Sequence, residues 1–437
     1  MKFQTLISIA LVAFASVSAQ DSLRISIQAA MLSAPKNGMQ VQMAESRVRE
    51  AEARVDEAKS ALLPSINATA SDVIRSYNYA SMLPPSMLKG MHLTSNLITL
   101  WNVQDARLGT HLTLFNYAAW KRFNFAKENT SASQKDAQVA SEQSSVIAAD
   151  AWLCVARAIL AVHSRQHQLE LAQQSLQITQ QQITAGTVTQ FDLIRAQGQI
   201  ATATANLTAA KGNLQTATIG LQRALGLNMN TQITLSDSLQ PPVFDDKASV
   251  ESFVQQALRD RTEISSAQQK LQIAENETKI IAAEDYPTVD LAADYGASAY
   301  QFKSNEFTGT VAVQLTWSIY DGGRRSSRKA QQQEHLTQAS IQLDDIKKAV
   351  EQEVRRYLSQ MSTAKELVKT AQERVSLVNQ ELNLAQQRFS SGMSGLVDVI
   401  TAQNNLSLAE DANIDALYQF NQARLYFLKA THHLENL

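Results

Sequence analysis

Few residues in this chain have the type and spacing that enzyme chemistry requires. The seven histidines are scattered, and the adjacent His432 and His433 have no cysteine or carboxylate pair at the spacing of metal ligands. The sequence contains no glycine-rich phosphate loop, no His-Glu-x-x-His, no Gly-x-Ser-x-Gly and no paired-cysteine motif. The single cysteine, Cys154, lies beside Trp152 and Val155, which suggests a small core residue. We therefore expect no catalytic residues, no cofactor and no metal site, and an enzyme is the least favoured class.

Two acidic residues recur in the same sequence context. Asp192 and Asp398 each lie six residues after a glycine, Gly186 and Gly392, and each begins the motif Asp-[Leu/Val]-Ile-x-Ala-Gln. Both the glycines and the acids are separated by 206 residues, so the motif belongs to an internal duplication. Glycine accepts a positive φ without a steric clash, which suits a turn between two helices. An acid in the first turn of the following helix is also favoured by the helix dipole.

The helices that carry these motifs are predicted to be very long. Residues 118–185 and 324–391 form two stretches of 68 residues without glycine or proline, and each stretch ends at one of the two glycines. An uninterrupted α-helix of that length spans about 100 Å, at roughly 1.5 Å per residue. The segments that follow, 190–225 and 396–434, are rich in small and uncharged polar residues, and we expect them to return as helices.

The long helices carry a seven-residue apolar repeat, which predicts packing against a partner helix. In the first half Val155, Val162, Leu169, Leu176 and Ile183 recur every seven residues. Adding 206 to each number gives a member of a longer seam in the second half. That seam consists of Val350, Val354, Tyr357, Met361, Ala364, Val368, Ala371, Val375, Val378, Leu382, Ala385 and Phe389. An ordinary antiparallel coiled coil would account for the helices alone.

A helical segment ends at a proline in each half. Residues 42–63 stop at Pro64 and residues 263–285 stop before Pro287, because proline cannot continue a helix. After each proline the apolar period changes from helical to alternating. The strand candidates that follow are 65–70 onward and 288–300. Each half therefore reads helix, strand, loop, strand, very long helix, glycine tip and return helix.

The clearest alternation lies in the second half of the chain. Its apolar positions point one way, while polar or small residues such as Gln314 and Thr316 point the other way. Residues 108–114 repeat the pattern more weakly in the first half, where the inter-strand region 81–104 is longer than its counterpart near 302–306. The apolar face in the second half consists of Val311, Val313, Leu315, Trp317 and Ile319.

These strands suit a membrane β-barrel. A transmembrane strand needs about 9–11 residues, apolar toward lipid and polar toward the lumen, and the 311–319 alternation fits that length. Four strands cannot close a barrel, since the smallest closed barrels use about eight, and open sheet edges are not tolerated in hydrocarbon. Several chains must then share one barrel. The alternative is a soluble sheet packed on the helices.

Residues 1–19 are predicted to be a secretory signal peptide. Lys2 supplies the charge, residues 6–17 the short apolar run, and residues 17–19 (Val-Ser-Ala) the cleavage site. The run is too short for a membrane-spanning helix, and a signal anchor is the alternative. The net charge of −2 falls to about −3 without Lys2, which disfavours nucleic acid as a partner because no basic excess neutralises phosphates.

Together these motifs resemble the TolC-type family of outer-membrane efflux and secretion channels. The resemblance covers essentially the whole mature chain. Each motif is weak alone, and their order, spacing and duplication make the resemblance specific. The motifs are the helix-to-strand breaks Leu62-Leu63-Pro64-Ser65 and Tyr286-Pro287, the strand-to-helix junctions Leu114-Phe115-Asn116 and Ile319-Tyr320-Asp321-Gly322-Gly323-Arg324, and the two glycine tips with their Asp motifs.

The resemblance implies a fold that is mainly α with a small β part, built from a duplicated strand and long-helix repeat. It implies a homotrimer in which a periplasmic α-barrel tube joins a shared 12-stranded outer-membrane β-barrel. One chain would comprise a signal peptide (1–19), a first structural repeat (20–230), a linker (231–247) and a second repeat (248–437). Both repeats would form one continuous channel domain.

The same resemblance implies the exit duct of a tripartite efflux pump or a type I secretion system in a Gram-negative type cell. An inner-membrane transporter and a periplasmic adaptor (a membrane fusion protein) would deliver drugs, metal ions or proteins to it. A periplasmic coiled-coil adaptor is the alternative, but it would need a β-rich lipoyl-like segment beside one hairpin. A secreted helical pore-former would need an apolar inserting stretch. The sequence contains neither feature.

The resemblance assigns two kinds of site near the glycines. The adaptor-docking tip corresponds to Gly186, Thr187, Gly392, Ser394 and Gly395. The pore constriction corresponds to Asp398, Thr401, Phe389 and Asp192.

In the family, an acid at the Asp398 position lines a constriction that favours cations. Three copies around a narrow pore would repel one another and raise their pKa values. The chain departs from the family pattern at three positions: Thr401 replaces a second acid, while Phe389 and Ser394 replace a tyrosine and an arginine that hold the closed state. We therefore expect closure by an apolar side chain, Phe389 or Leu396.

Basic residues cluster where the strands become long helices. They are Arg324, Arg325, Arg328 and Lys329 in the second half, and Lys121 and Arg122 in the first. The resemblance places them at the inner rim of the outer membrane, where contact with phospholipid headgroups makes lipid a further partner. A solvated helix face is the alternative.

Overall fold

The computed structural model describes residues 23–78, 84–90, 98–240, 249–300 and 305–434. The predicted signal peptide, 1–19, and residues 241–247 of the predicted linker lie outside the described residues. The chain is mainly helical with a small β part, as the sequence predicts. In chain order the elements are β1 (Leu23–Ile25), α1 (Ile27–Asn37), α2 (Met39–Ser60), β2 (Ser65–Asn78), α3 (Pro85–Gly90), β3 (Ile98–Phe115), α4 (Tyr117–Thr184), α5 (Gln190–Ala224), β4 (Ile233–Leu235), α6 (Val250–Asp260), α7 (Thr262–Ala283), β5 (Thr288–Tyr300), β6 (Asn305–Thr316), α8 (Arg324–Ser390) and α9 (Leu396–Ala430).

The predicted long helices are present with nearly the predicted ends. α4 and α8 each stop two residues before the glycine that the sequence places at the tip. α5 and α9 begin at the predicted residues, Gln190 and Leu396, but α9 stops at Ala430 instead of residue 434. It stops there because His432 turns the backbone to a positive φ of 59°, as Gly226 does 206 residues earlier with a φ of 64°.

The structure adds short elements that the sequence patterns do not predict. β1 pairs in parallel with β4, which lies inside the segment predicted as a linker. α1 and α6 precede α2 and α7, so each half begins with two helices instead of one. The hydroxyl of Ser26 caps α1 by accepting the N–H of Ala29 at 3.0 Å. Strands of three residues are too short to leave a periodic signal.

Two predicted strand boundaries are wrong. β3 begins at Ile98, so residues 98–104, which we expect from the sequence to be loop, belong to the strand. β6 ends at Thr316, so Trp317 and Ile319 lie beyond the strand that their alternation predicts. The reason is the neighbouring strand: β5 starts at Thr288, opposite Thr316, and supplies no partner for later residues.

The four long strands form one antiparallel sheet in the order β2-β3-β5-β6. Directly opposite residues share a face, because side chains alternate along a strand. One face carries apolar side chains from every strand, including Ile66, Leu108, Tyr295 and Val311, each more than half exposed. The opposite face carries mostly polar side chains. The sheet therefore has two chemically different faces.

By its internal contacts the chain divides into two compact units. The first comprises the described parts of Met1–Gln42, Ala140–Ala257 and Val350–Leu437, and it contains both helix tips. The second comprises the described parts of Met43–Val139 and Leu258–Ala349, and it contains the four-stranded sheet. Each unit therefore draws segments from both halves of the sequence.

Part of α4 forms the main core of the first unit. Trp152 and Leu153 are each 1 % exposed, and the indole N–H of Trp152 donates to the carbonyl of Ile25 at 3.1 Å. Cys154 is half-buried, with its Sγ 3.5 Å from the hydroxyl of Tyr418. By composition an 18-residue window of α4, with mean hydropathy 1.8, is apolar enough to cross a membrane. Core packing also accounts for such a composition.

The predicted seven-residue seams behave differently in the two halves. The second-half seam is buried, with Val354, Met361 and Val368 almost inaccessible to solvent. In the first half Val155 is buried, while the later members are half-buried. Those half-buried members are Val162, Leu169, Leu176 and Ile183. α4 instead buries polar residues, Ser175 among them, whose hydroxyl accepts a hydrogen bond from Gln403 of α9 at 2.9 Å.

Candidate functional site

Both helix tips are closed by the same backbone turn. At the first tip the N–H groups of Gly186 and Thr187 donate to the carbonyls of Ile183 and Gln182, both at 3.0 Å. At the second tip the N–H groups of Gly392 and Met393 make the equivalent bonds, to the carbonyls of Phe389 at 3.0 Å and Arg388 at 2.8 Å. Gly186 and Gly392 have φ angles of 75° and 70°, and no described atom lies within 4 Å of where a Cβ would stand. The left-handed conformation, not the available space, therefore calls for glycine.

Asp192 is bound to the start of its own helix. Its Oδ2 accepts hydrogen bonds from the hydroxyl of Thr189 at 2.7 Å and from the N–H of Thr189 at 3.1 Å. The N–H of Asp192 donates back to the Thr189 hydroxyl at 3.4 Å, which completes a capping box. The hydrogen bonds from Thr189 hold the pKa of Asp192 below its ordinary value. Its carboxylate is thus committed to the helix end.

Asp398 differs from Asp192 because its helix lacks the capping residue. Gly395, which corresponds to Thr189 after the 206-residue offset, has no side-chain oxygen to offer. The Asp398 side chain is exposed and makes no hydrogen bond or ion pair within the described chain. Thr401, one turn later, is also exposed, and its hydroxyl donates to the carbonyl of Val397 at 2.8 Å. The two sequence-equivalent acids are therefore not structurally equivalent.

The polar face of the sheet is organised around Arg107. Its Nε donates to Asp105 and its Nη1 to Asp294, both at 2.7 Å. Its Nη2 donates to the hydroxyls of Ser298 and Thr308, both at 3.1 Å. One guanidinium thus joins β3, β5 and β6 through charge-assisted hydrogen bonds.

Gly296 makes room for this guanidinium. It lies directly opposite Arg107 in the register of β3 and β5. A Cβ at Gly296 would collide with the carbonyl of Ala106 and with the stem of Arg107. Gly109 shows the contrast, since a Cβ there would lie 4.0 Å from its nearest neighbours. Only the first of these glycines is needed for close packing.

The two-faced sheet and the paired helix tips can be compared with known proteins. Residues 32–227 and 253–431 match the family model described as outer membrane efflux protein. The chain belongs to this family. Outer membrane protein TolC of Escherichia coli (strain K12) is 24 % identical over 437 residues, which covers 95 % of this chain and 83 % of that protein.

Solved structures agree with the fold of this outer membrane efflux protein. The outer membrane protein VceC of Vibrio cholerae has a TM-score of 0.72 at 16 % identity, over 93 % of this chain and 95 % of that chain. The Campylobacter jejuni CmeC outer membrane channel has a TM-score of 0.75 at 17 % identity, over 93 % and 86 % of the two chains. At these identities the likeness shows the fold alone.

Family membership places the protein in the outer membrane of a Gram-negative type cell. Its relatives are channel proteins and not enzymes, and their common activity is an outer-membrane exit duct for efflux or secretion. The family model and the relatives named above are of the outer-membrane channel class, not the periplasmic adaptor or secreted pore-former that the sequence leaves as alternatives.

Two residues expected to close the pore are buried inside the efflux protein's own chain. Phe389 and Leu396 are each 1 % exposed and pack in one cluster with Val399 and Leu406. Neither side chain is exposed in the single chain, so this packing favours a core role for both, and closure by either one stays a prediction. Ser394, at the family's arginine position, is half-buried, and its hydroxyl has no hydrogen-bond partner among the described residues.

The second hairpin is tied to α4 by polar contacts that the sequence does not predict. Gln182 of α4 donates from Nε2 to the main-chain carbonyl of Phe389 at 2.6 Å. Further along, Arg165 pairs with Asp411 of α9 at 2.6 Å. No local motif marks these residues, because both helices are rich in polar side chains and the partners are more than 200 residues apart.

The residues predicted for the lipid face are all exposed. Val311, Val313 and Leu315 lie on the apolar face of β6, between 65 % and 76 % exposed. Trp317 and Ile319 are 58 % and 80 % exposed but follow the end of the strand. The face is therefore shorter than the alternation predicts, and its contact with lipid stays a prediction.

Four cations of the basic cluster are ion-paired with two acids that directly follow α7. The ion pairs are Arg122–Glu284, Arg328–Glu284, Arg325–Asp285 and Lys329–Asp285. Arg325 is only 13 % exposed and also bonds to Asp321 at 2.9 Å. These ion pairs give the four cations a structural role, since they join α4 and α8 to the corner before β5, and contact of the cluster with lipid stays a prediction.

Proposed function

We propose that three copies of this outer membrane efflux protein form one exit duct. Four strands from each chain would give a shared barrel of twelve, continued by a tube made from the long helices. The observation that carries the proposal is the sheet with an exposed apolar face and an ion-paired polar face on the same strands. Such a sheet suits a wall between lipid and a water-filled lumen.

The edges of the sheet support a shared barrel. β2 and β6 are outermost, so each pairs with only one neighbour in the described chain. In hydrocarbon the unpaired main-chain groups of an open edge would cost several kcal/mol each. Pairing β6 of one chain with β2 of the next removes both edges and closes the ring.

The helices also leave surface for neighbouring chains. Leu377 and Leu384 of α8 are 65 % and 60 % exposed, although apolar residues at helical spacing normally pack. The half-buried seam of α4, which includes Leu169 and Ile183, offers a second unfilled surface. Contacts between adjacent chains in a helical tube would cover both.

The tips would supply the constriction and the adaptor contact. We assign the constriction to Asp398, because its carboxylate is exposed and uncommitted, with Thr401 beside it on the same helix. Three such carboxylates around a narrow pore would favour cations. Asp192 is left out of the constriction, because its carboxylate is bonded within the capping box.

We assign the adaptor contact to the residues of the two tip turns, which are flanked by exposed apolar side chains. The tip residues are Gly186, Thr187, Gly392, Ser394 and Gly395, and the flanking residues are Phe191, Ile194, Met393 and Val397.

In this proposal residues 1–19 are removed on export. The repeats 20–230 and 248–437, with the linker 231–247, then act as one channel domain. An inner-membrane transporter would deliver drugs, metal ions or proteins through a periplasmic adaptor into the duct.

The first test is mass and conductance. Protein extracted from membranes in detergent should have the mass of three chains, and planar bilayers should record a small, cation-selective conductance. A water-soluble monomer or dimer without conductance would overturn the proposal.

A matched pair of substitutions tests the orientation of the sheet. Val313 and Gln314 are adjacent and exposed on opposite faces of β6. Val313→Lys should impair membrane assembly, because a lysine facing lipid costs up to about 2–4 kcal/mol at the bilayer midplane and less toward the interfaces. Gln314→Lys should assemble normally and change only conductance. Equal assembly of the two variants would contradict the proposal that the apolar face contacts lipid.

Adaptor docking can be tested with cysteines on a Cys154→Ser background. Thr187→Cys at the tip should cross-link to a periplasmic adaptor of a tripartite pump, whereas Thr216→Cys, which is also exposed but lies on α5 away from the tip, should not. Cross-linking at both positions or only at residue 216 would move the contact away from the tips.

A further inference from the structure

The residues between the strands and the helices form a distinct surface, which we call the strand–helix corner. It comprises residues 115–122, 284–286 and 317–329, all in the unit that contains the sheet. Aromatic side chains are concentrated there. Those exposed by nearly half or more are Phe115, Trp120, Tyr286, Trp317 and Tyr320.

These aromatic residues continue the apolar face of the sheet. Leu114 and Leu315, at the ends of β3 and β6, are 52 % and 65 % exposed. Trp317 keeps the parity of Leu315, and its indole N–H donates to the carbonyl of Asp285 at 3.1 Å. An apolar body with a hydrogen-bonded polar end is the arrangement that tryptophan adopts where hydrocarbon meets water.

The strand–helix corner also carries excess positive charge. Its six cations face three acids, Glu284, Asp285 and Asp321, which leaves a surplus of three charges. Four cations are held in the ion pairs that join α4, α7 and α8. Lys121 and Arg324 are the two cations of the corner that lie outside these four ion pairs.

Lys121 and Arg324 are placed differently from the paired four. The ammonium of Lys121 lies 5.2 Å from the ring centre of Tyr117 and 5.3 Å from that of Trp120. The described part of the chain gives Lys121 no carboxylate partner. Arg324 is 72 % exposed, and its nearest carboxylate, Asp321, is 3.9 Å away and already bonded to Arg325. Both cations can accept an external anion without breaking a strong ion pair.

We propose that the strand–helix corner binds the phosphate groups of anionic phospholipids through Lys121 and Arg324. The occupant is a membrane lipid because the two cations adjoin exposed aromatic side chains that continue an apolar sheet face. A free inorganic anion would make no favourable contact with that apolar surface. The lipids belong to the leaflet that borders the helical part of the chain. This inference rests on the proposed function in one respect, that the sheet spans the membrane.

The test compares charge variants of the full-length protein assembled in mixed vesicles. The vesicles contain phosphatidylcholine and phosphatidylglycerol in equal parts, and the lipids retained after extraction are counted by native mass spectrometry. The wild type should retain phosphatidylglycerol preferentially. Lys121→Glu combined with Arg324→Glu should lower that preference about tenfold. The reason is that each of the two cations contributes a several-fold attraction to an anionic membrane surface.

Two further variants keep the test decisive. Lys211→Glu with Lys369→Glu makes the same change in net charge at exposed helix positions outside the corner and should leave the preference unchanged. If the glutamate pair does not assemble, Lys121→Gln with Arg324→Gln removes the charges without adding acids and should lower the preference by a smaller factor. Equal retention of both lipids by the wild type, or the same preference in corner and control variants, would overturn the proposal.

Conductance separates this inference from the proposed function. A wild-type protein that conducts but retains the two lipids equally would contradict only the proposed lipid site. A protein that forms no channel at all would remove the exit duct, whatever lipids it retained.

Discussion

The side-chain amide of Gln182 donates a 2.6 Å hydrogen bond to the main-chain carbonyl of Phe389. That carbonyl also accepts the N–H of Gly392 at 3.0 Å in the second tip turn. Gln182 therefore joins the end of α4 to the turn between α8 and α9. The TolC-type resemblance implies a tyrosine at the Phe389 position, where it would hold the closed state. Phenylalanine has no hydroxyl for such a bond. In this chain the main-chain carbonyl at the same position instead accepts a hydrogen bond from Gln182 of α4.

Removing this link should ease opening of the proposed duct. Gln182→Ala deletes one hydrogen bond worth about 0.5–1.5 kcal/mol, which corresponds to a roughly fivefold shift per chain toward any state in which the hairpins separate. Single-channel recording should show a larger or more frequent open conductance. Gln180→Ala, two residues earlier on an exposed side of α4, is the control. The same conductance in both variants would mean that the link does not restrain the tip.

The two repeated acids should have separable effects. Asp398→Ala should reduce cation selectivity, measured as the reversal potential in a salt gradient, because it removes the exposed carboxylate. Asp192→Ala should leave the reversal potential nearly unchanged and lower the free energy of unfolding by about 1 kcal/mol through loss of the capping box. Equal loss of selectivity in both variants would place Asp192 in the constriction as well.

The capping box also predicts a pH dependence. The pKa of Asp192 in the folded chain lies below its ordinary value, because Thr189 donates to its carboxylate. A lowered folded pKa stabilises the fold fully above the unfolded pKa, and the contribution is lost as pH falls through the folded pKa. The difference in urea midpoint between wild type and Asp192→Ala should thus be constant near neutral pH and shrink below about pH 4. A difference that persists in acid would rule out the carboxylate as its cause.

The parts of the fold that the sequence predicts well depend on neighbouring residues. The absence of glycine and proline predicts α4 and α8 almost to the residue, and Gly186 and Gly392 predict the turns. The difference between the two acids also has a local origin, since Thr189 and Asp192 have capping-box spacing whereas Gly395 has no side chain. A local sequence pattern is therefore sufficient to distinguish the two acids.

The parts that escaped prediction depend on distant partners. The cations of the basic cluster look alike in sequence, and Glu284 and Asp285, about 40 residues away, decide which of them are ion-paired. Phe389 belongs both to the seven-residue seam and to the tip. Only its packing against Leu396 and Val399 shows that its side chain is part of the core between helices. Sequence periodicity gives the face of a helix but not which partner fills it.

The Arg107 cluster predicts a strict requirement for glycine in the sheet. Gly296→Ala should displace Arg107 and break its bonds to Asp294 and Thr308, which would lower the melting temperature of the sheet. Thermal unfolding of the purified protein, followed by the loss of β-sheet circular dichroism, measures the effect. Gly109→Ala is the matched control, because its Cβ would have ordinary contacts. Equal melting temperatures for the two variants would show that Arg107 does not clamp the strands.

Phe389 should behave as a core residue and not as a gate. Its side chain is 1 % exposed in the cluster that joins α8 to α9, so Phe389→Ala leaves a cavity and should lower the free energy of unfolding by about 3–5 kcal/mol. Phe389→Leu keeps most of the apolar volume and should cost much less. Met393→Ala is the exposed control near the same tip, with an expected change within about 0.5 kcal/mol. Chemical unfolding in detergent separates the three variants. If Phe389→Ala left stability unchanged and raised conductance, its ring would face the lumen in the assembled duct, and the packing of α8 against α9 at the tip would have to change on assembly.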